Sequence, residues 1–262
     1  MKEITSAGNA TIRHLVQLRQ KASERRTSGT FVAEGERLVL DTPAQFLQEI
    51  YATKEVYERL EERLPDRVTI LSETAMAKAS GTQSPQGILA VAAQPEWSIA
   101  DLMTGTAPMV LMLEDIRDPG NLGTMLRTAE AAGAGGVVMT KGTVDLFNPK
   151  TVRATMSAVF RVPYIMVENL PDVIRGFREQ YEIRTHAAFL DAQGRYYAEE
   201  DYRSACAFAI GNEGSGLSRE TLEEADDMVY IPMAGQIESL NAAVSASILM
   251  YEAARQRRLL ES

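Results

Sequence analysis

The first third of the chain carries apolar positions at two periodicities. Four of them recur near helical spacing within residues 9–23, with arginines opposite: Ile12, Leu15, Val16 and Leu18. This spacing predicts an amphipathic helix, and residues 25–30 after it predict a basic loop. Short apolar runs then predict strands at 31–35, 48–52, 68–71 and 87–93, with a helix at 35–40. The alternation indicates a small α/β domain that ends near Ala93.

Beyond residue 108 the apolar runs are stronger and alternate regularly with helical patterns. Strands are predicted at 109–113, 136–140, 164–167, 183–188, 205–210 and 228–231. Helices are predicted at 121–132, 149–157 and 171–180, from Ser218 onward, and at the end of the chain. Strands that alternate with helices favour a mostly parallel sheet with helices on both faces.

A linker is expected between the two patterns. Residues 94–108 have proline near both ends and no clear periodicity. Trp97, the only tryptophan, is interpreted as a packing anchor for this linker and not as a platform for stacking bases.

Composition narrows the class of protein. The 262 residues are 45% hydrophobic and 24% charged, which is ordinary for a soluble globular chain. No run approaches the ~18 apolar residues of a membrane helix, and the first residues lack a secretory signal, so no membrane association is expected. A single cysteine, Cys206, suits a reducing compartment and predicts a cytoplasmic protein. His14 and His186 lack ligand-like spacing, so no metal is expected.

The charge is distributed unevenly. The whole chain carries −9, yet residues 1–40 hold seven basic and four acidic residues. A local basic patch can bind phosphates even on an acidic protein. The alternative is a solvated helix face without a ligand. The candidates for phosphate binding in this region are Arg13, Arg19, Lys21, Arg25, Arg26 and Arg37.

Three segments in the second half have an unusual composition. Residues 111–133 contain a Pro-Gly-Asn turn before a helix, and residues 208–218 contain a glycine-rich loop after a strand. Residues 231–253 pass from a polar loop into a helix of alanine, serine and valine. Such small residues let another backbone approach closely, and a polar loop before a helix exposes free N–H groups.

Taken one at a time, these segments leave their roles open. The glycine order in 211–216 is not that of a dinucleotide fingerprint, and alone it favours a tight turn. Asn121 is expected to cap the helix that it begins. Arg127 alone would be interpreted as a surface arginine paired with Glu130 or Glu114.

Together and in this order, the segments resemble the three motifs of the SpoU (TrmH-type) RNA ribose 2′-O-methyltransferases of the SPOUT superfamily. The matching residues are Asn121, Gly123, Arg127, Gly211, Asn212, Glu213, Gly216, Ile231, Pro232, Met233, Ser239, Leu240 and Asn241. The resemblance covers roughly the last three-fifths of the chain, and three motifs are far more specific than one.

The resemblance implies a fold, a cofactor and site residues. It implies a deep trefoil knot in the C-terminal sheet domain and a homodimer with the active site near its interface. It implies S-adenosylmethionine as cofactor, bound by Ile210, Gly211, Ile231, Met233 and Leu240. The catalytic residues that it implies are Arg127, Asn121, Glu213, Ser239 and Asn241.

Two further stretches resemble the family. The Asn-x-Lys-x-x-Arg-Ala pattern of the family is matched by Asn148, Lys150 and Arg153. We therefore add Lys150 and Arg153 to the six basic residues of 1–40 named above, as candidates for RNA binding. Ser157 stands where glycine is usual, and we expect the packing to survive. Residues 31–39 resemble an L30e-like RNA-binding module, which sets the expected domains at 1–97 (RNA binding), 98–107 (linker) and 108–262 (methyltransferase).

The sequence therefore predicts an S-adenosylmethionine-dependent RNA (ribose-2′-O)-methyltransferase active in rRNA processing. Ribosomal RNA of the 23S type is favoured over tRNA because of the N-terminal module. The alternatives are a tRNA 2′-O-methyltransferase and a non-catalytic RNA-binding or ribosome-assembly factor of the same fold. A nucleotide-binding dehydrogenase is disfavoured by the glycine order.

Overall fold

A computed structural model describes residues 2–190 and 194–258, and of residue 258 only the backbone. The chain divides into two compact units. Unit 1 comprises Met1–Glu96 and Asp145–Phe160, and unit 2 comprises Trp97–Val144 and Arg161–Ser262. Residues 145–160 thus pack with the N-terminal residues, whereas the expected domain boundaries had assigned them to the methyltransferase domain.

The strands are β1 (Lys2–Ile4), β2 (Thr30–Glu34), β3 (Leu47–Ala52), β4 (Val68–Leu71), β5 (Ile88–Ala93), β6 (Met109–Leu113), β7 (Gly136–Thr140), β8 (Tyr164–Val167), β9 (Arg184–Ala188), β10 (Arg195–Tyr196), β11 (Cys206–Ile210) and β12 (Asp227–Tyr230). The helices are α1 (Ala10–Gln20), α2 (Ala22–Ser28), α3 (Glu36–Leu40), α4 (Lys54–Leu60), α5 (Glu73–Ala79), α6 (Ile99–Leu102), α7 (Pro119–Ala132), α8 (Pro149–Ala154), α9 (Leu170–Tyr181), α10 (Arg219–Glu224) and α11 (Ala242–Arg258). Single turns of 3₁₀ helix lie at Glu61–Arg63, Ala158–Phe160 and Tyr197–Glu199.

Unit 1 is built on a mixed five-stranded sheet in the order β1-β4-β3-β5-β2. β5 is antiparallel to both neighbours, and the other pairs are parallel. The predicted face of α1 is confirmed, because Ile12, Leu15 and Leu18 are fully buried in the core of this unit. Asn9 caps α1 by accepting from the amide of Thr11.

The predicted basic loop at 25–30 is wrong, since most of it belongs to α2. Gly29 ends this helix in the left-handed region, with φ of 63°. Arg25 lies inside the unit, with 3% of its surface exposed. Its guanidinium donates to the carbonyl of Leu18 at 2.6 Å and to the carboxylate of Asp145. This buried ion pair fastens residues 145–160 to the N-terminal helices.

The helix predicted at 149–157 ends three residues early. Met156 and Ser157 adopt positive φ angles of 50° and 75°, which a continuing helix does not allow. Ser157 is fully buried, and its hydroxyl donates to Asp41 Oδ2 at 3.1 Å. The left-handed backbone explains why glycine is usual at this position, and the hydrogen bond shows how serine is held there.

Unit 2 is built on a parallel seven-stranded sheet in the order β10-β12-β9-β11-β6-β7-β8. The central strands β11, β6 and β7 are buried at every residue, as expected for a sheet covered on both faces. The small residues of α11 pack against α7, and Ala243, Ala246 and Ala253 are buried. Among the helices that the structure describes, none has the length and apolar character that crossing a bilayer requires.

A buried histidine lies near the edge of this sheet. His186 is 1% exposed, and neither ring nitrogen has a hydrogen-bond partner among the described residues. Its Nδ1 lies 3.4 Å from Asp227, and Glu200 completes a group whose ligand atoms all lie within 4.8 Å of one another. Arg184 binds Asp227 and Arg195 binds Glu200 at 3.0 Å, so two guanidinium groups already balance the two carboxylates.

Burial lowers the pKa of His186 below its ordinary value of 6.5, although Asp227 opposes this shift. Below pH 6.5 the unfolded chain therefore binds a proton that the folded chain does not, and the folded state is destabilised as the pH falls. We predict that His186→Gln loses less free energy of unfolding than the wild type between pH 7 and pH 5. The difference is at most about 1.4 kcal/mol per pH unit, measured by urea denaturation.

His14→Gln is the matched control, because the side chain of His14 is 46% exposed. This variant should keep the pH dependence of the wild type. Equal pH dependence in His186→Gln and the wild type would contradict the prediction.

Candidate active site

The candidate active site lies at the carboxyl ends of the parallel strands of unit 2. β11 leads directly into the loop 211–217, and β6 is its neighbour in the sheet. Strand ends in a parallel sheet meet at one edge, where ligands commonly bind. The loop 231–241 and the first turn of α7 reach the same edge, because their side chains bond to each other and to the loop 211–217.

Three residues from the three motifs form one hydrogen-bonded chain. Asn241 Nδ2 donates to Asn121 Oδ1 at 2.9 Å, and Asn121 Nδ2 donates to Glu213 Oε1. These residues are 120 and 92 positions apart in the sequence. The fold therefore brings together three of the five predicted catalytic residues and fixes the orientation of the Glu213 carboxylate.

Helix starts hold this chain in place. Asp118 caps α7 and accepts from the backbone amide of Asn121 at 2.8 Å, so the prediction of Asn121 as the cap is wrong. Pro119 begins the helix, because the first turn has no partner for an N–H. Asn241 accepts from the amide of Ala243 at 2.9 Å, at the start of α11. Each asparagine is thus tied to a rigid helix end.

Arg127 is exposed on α7 and has no ion-pair or hydrogen-bond partner in the part of the chain that the structure describes. The two carboxylates considered for it are engaged elsewhere. Glu114 accepts from Ser218 at 2.7 Å, and Glu130 accepts from Arg161. The alternative interpretation of Arg127 as one half of a surface ion pair is therefore wrong in this structure.

A cavity of about 270 Å³ opens beside Glu213. All five residues predicted to bind the cofactor line it: Ile210, Gly211, Ile231, Met233 and Leu240. Glu213 and Ser239 lie in the same wall, and Ser239 is exposed. The sequence analysis missed three residues at the end of β9 that also line the cavity: Ala188, which ends the strand, and Phe189 and Leu190, which follow it. They could have been found only from the strand order, which places β9 next to β11.

Gly211 is required by the close approach of the loop to itself. A Cβ at this position would lie 2.2 Å from the carbonyl carbon of Gly216 and 2.3 Å from the amide nitrogen of Leu217. Both atoms are backbone, so no side chain can move aside. The loop is closed by the amide of Gly216, which donates to the carbonyl of Asn212 at 2.8 Å. It forms a narrow backbone cradle at the rim of the cavity.

The candidates for RNA binding all lie in unit 1 and differ in exposure. Five of them have exposed side chains: Arg13, Lys21, Arg26, Arg37 and Lys150. Arg19 and Arg153 are half-buried. Arg19 donates to the carbonyl of Ala79 at 3.2 Å, and Arg153 lies 3.7 Å from the buried Glu34.

Arg25 does not belong to this set. Its guanidinium is enclosed by Asp145 and by two backbone carbonyls of α1, so no face remains for a phosphate. The burial of Arg25 could not be predicted from its neighbours, because a dense run of arginines is typical of a solvated surface.

Comparison with known proteins gives two matches along the chain. A sequence model of the SpoU rRNA Methylase family matches residues 108–251. A second model, described as an MRM3-like substrate binding domain, matches residues 9–90.

Individual relatives match over almost the whole length. The 23S rRNA (guanosine(2553)-2′-O)-methyltransferase RlmP of Bacillus subtilis is 37% identical over 257 residues, which cover 96% of this chain and 98% of RlmP. An AdoMet-bound rRNA methyltransferase from Sinorhizobium meliloti has a TM-score of 0.86 at 32% identity, covering 97% of each chain. The SpoU methyltransferase AviRb from Streptomyces viridochromogenes, in complex with AdoMet, has a TM-score of 0.84 at 25% identity, covering 95% of this chain and 98% of AviRb.

The cradle at Gly211 yields a test of the local packing. We predict that Gly211→Ala lowers the free energy of unfolding by about 1–3 kcal/mol, because the new methyl group forces two backbone segments apart. Gly176→Ala on α9 is the control, since a Cβ there meets no atom within 4 Å. Denaturant unfolding of both variants measures the effect. Equal stability of Gly211→Ala and Gly176→Ala would contradict the described loop geometry.

Proposed function

This chain belongs to the SpoU rRNA methylase family, and we propose that it transfers a methyl group from S-adenosylmethionine to a ribose 2′-hydroxyl of RNA, with 23S-type ribosomal RNA as the substrate. One observation carries the proposal: the hydrogen-bonded chain from Asn241 through Asn121 to Glu213 stands beside the cavity. Such a chain holds a carboxylate in one orientation, as a catalytic site requires, and the relatives RlmP and the S. meliloti protein are named rRNA methyltransferases, which favours catalysis over binding alone.

The cavity fits the proposed cofactor. S-adenosylmethionine supplies a methyl group on a positively charged sulfur. The loop folds too closely on itself at Gly211 to admit a Cβ, so backbone alone lines the cavity at this position. Ile210, Ile231 and Leu240 offer apolar contacts. The same cofactor is bound by the rRNA methyltransferase of S. meliloti and by AviRb, which supports this assignment.

Arg127 is proposed to hold the RNA at the reacting hydroxyl. A guanidinium offers five N–H donors and no acceptor, so it is a poor base for the 2′-hydroxyl. It is well suited to bind a phosphate and to stabilise the negative charge that develops on the hydroxyl oxygen. Its lack of a partner among the described residues leaves it available for this task. Glu213 and Ser239 then orient the nucleotide or relay its proton.

Unit 1 is proposed to be an L30e-like module that binds the RNA substrate. The match of residues 9–90 to a substrate-binding domain and the exposed basic residues Lys21, Arg26 and Arg37 support this role. Because residues 145–160 pack with this unit, we place the domains at 1–96 with 145–160 and at 97–144 with 161–262.

The remaining family features are proposals of the same kind. The parallel strand order and the packing of α11 on α7 support a deep trefoil knot in unit 2. Val244 and Tyr251 are 45% and 49% exposed and lie two turns apart on α11, which supports a homodimer that buries this face. The single cysteine supports a cytoplasmic location.

Substitution of Arg127 tests the proposed role. We predict that Arg127→Ala and Arg127→Lys each lower the rate of methyl transfer by roughly 100-fold or more. Affinity for S-adenosylmethionine, measured by calorimetry, should remain, because Arg127 does not line the cavity. Arg219→Ala is the control, since its side chain is 86% exposed and pairs within α10. Turnover equal to that of the wild type in either Arg127 variant would contradict the assignment.

The function itself is tested by transfer of radiolabelled methyl from S-adenosylmethionine to total RNA. The RNA is then separated by size and digested to nucleosides. We expect label in a 2′-O-methylnucleoside from large ribosomal RNA. Label in tRNA would identify tRNA, and not ribosomal RNA, as the substrate. Label in a base would contradict the proposed methylation of the ribose.

A further inference from the structure

A second hydrogen-bonded chain reaches the loop that carries Glu213, through the side chain of Asn212. It begins at Thr140, the last residue of β7, and passes to Asp115, which follows β6. The Thr140 hydroxyl donates to Asp115 Oδ1 at 2.7 Å and accepts from the Asp115 amide at 2.9 Å. One hydroxyl thus holds both the side chain and the backbone of Asp115.

This clasp maintains an unusual backbone conformation. Asp115 has a φ of 55°, in the left-handed region that most non-glycine residues avoid and that aspartate can adopt when its side chain is hydrogen-bonded locally. Space for its carboxylate is provided by Gly142, where a Cβ would lie 2.1 Å from Asp115 Oδ1. Thr140 therefore holds this conformation through two hydrogen bonds, and Gly142 leaves free the space that the carboxylate occupies.

Asn212 connects the clasp to the glycine-rich loop. Its Nδ2 donates to the carbonyl of Asp115 at 2.9 Å. Its Oδ1 accepts from the amides of Gly214 at 2.8 Å and Ser215 at 3.4 Å. The side-chain amide of Asn212 therefore links the backbone that follows Glu213 to the backbone of Asp115, and both its oxygen and its nitrogen are hydrogen-bonded.

We propose that Thr140 and Asp115 are positioning residues for Glu213, acting through Asn212; this inference rests on the proposed function. The hydrogen bond from Asn121 orients the Glu213 carboxylate. The Thr140–Asp115–Asn212 chain fixes the position of the Glu213 backbone. Thr140 is 4% exposed and ends a strand of otherwise apolar residues and one glycine. Valine would fill the same volume, so the hydroxyl is explained by its two hydrogen bonds.

The test uses paired substitutions that break or keep the clasp. Thr140→Val removes the hydroxyl at nearly constant volume, and Thr140→Ser keeps it. Gly142→Ala displaces the Asp115 carboxylate from an exposed position, so it remains informative if Thr140→Val fails to fold. Lys141→Ala is the matched control, because its exposed side chain pairs with Glu168 and not with the clasp.

The first measurement is hydrogen–deuterium exchange of a peptide that covers residues 211–217, which requires no activity. We expect roughly 10-fold faster exchange in Thr140→Val and Gly142→Ala, and wild-type exchange in Thr140→Ser and Lys141→Ala. Unchanged exchange in the first two variants would overturn the proposal, whether or not the wild type transfers methyl groups.

The second measurement is the rate of methyl transfer under saturating cofactor and RNA. We expect kcat to fall roughly 10- to 100-fold in Thr140→Val with little change in KM, and Thr140→Ser to restore it. In a Glu213→Gln background, Thr140→Val should lower kcat much less than it does in the wild type, because both changes act on the same carboxylate. Full additivity would overturn the role through Glu213, whereas a wild type without any transfer would overturn the proposed function instead.

Discussion

The parallel alignment of β9, β11, β6 and β7 is the constraint on which the site in unit 2 depends. It places the ends of four strands side by side, so that residues far apart in the sequence become neighbours. Glu114 continues this alignment, since its amide donates to the carbonyl of Ile210 at 2.9 Å. The polar groups beyond the strands then bond to each other across the strand ends, although these hydrogen bonds are open to solvent.

The strands of unit 2 could be predicted closely from the sequence. β6, β7 and β8 begin and end at the predicted residues, because fully buried strands are short apolar runs between polar turns. α2 was missed, since its arginines and serines resemble a loop and its ending depends on Gly29. The grouping of residues 145–160 with unit 1 was also missed, because it depends on a buried ion pair across 120 positions.

The candidate active site, too, could be predicted from the sequence only in part. Motif residues identified the cavity wall and the chain from Asn241 to Glu213, since family resemblance carries long-range information that local pattern does not. The clasp of Thr140 on Asp115 could not have been predicted, because both residues look ordinary in their local context. For Arg25 the local context was misleading. The neighbouring residues indicated an exposed side chain, whereas the side chain is buried and paired with the distant carboxylate of Asp145.

The side chain of Asn121 illustrates how a fold limits variation. Its oxygen accepts from Asn241 while its nitrogen donates to Glu213, so the position requires an acceptor and a donor about the width of one amide apart. Aspartate has the shape but no donor, glutamine has the groups but an extra methylene, and leucine has neither. Such a position therefore accepts a single residue type. A short motif built from such positions can therefore identify a family in one unaligned sequence.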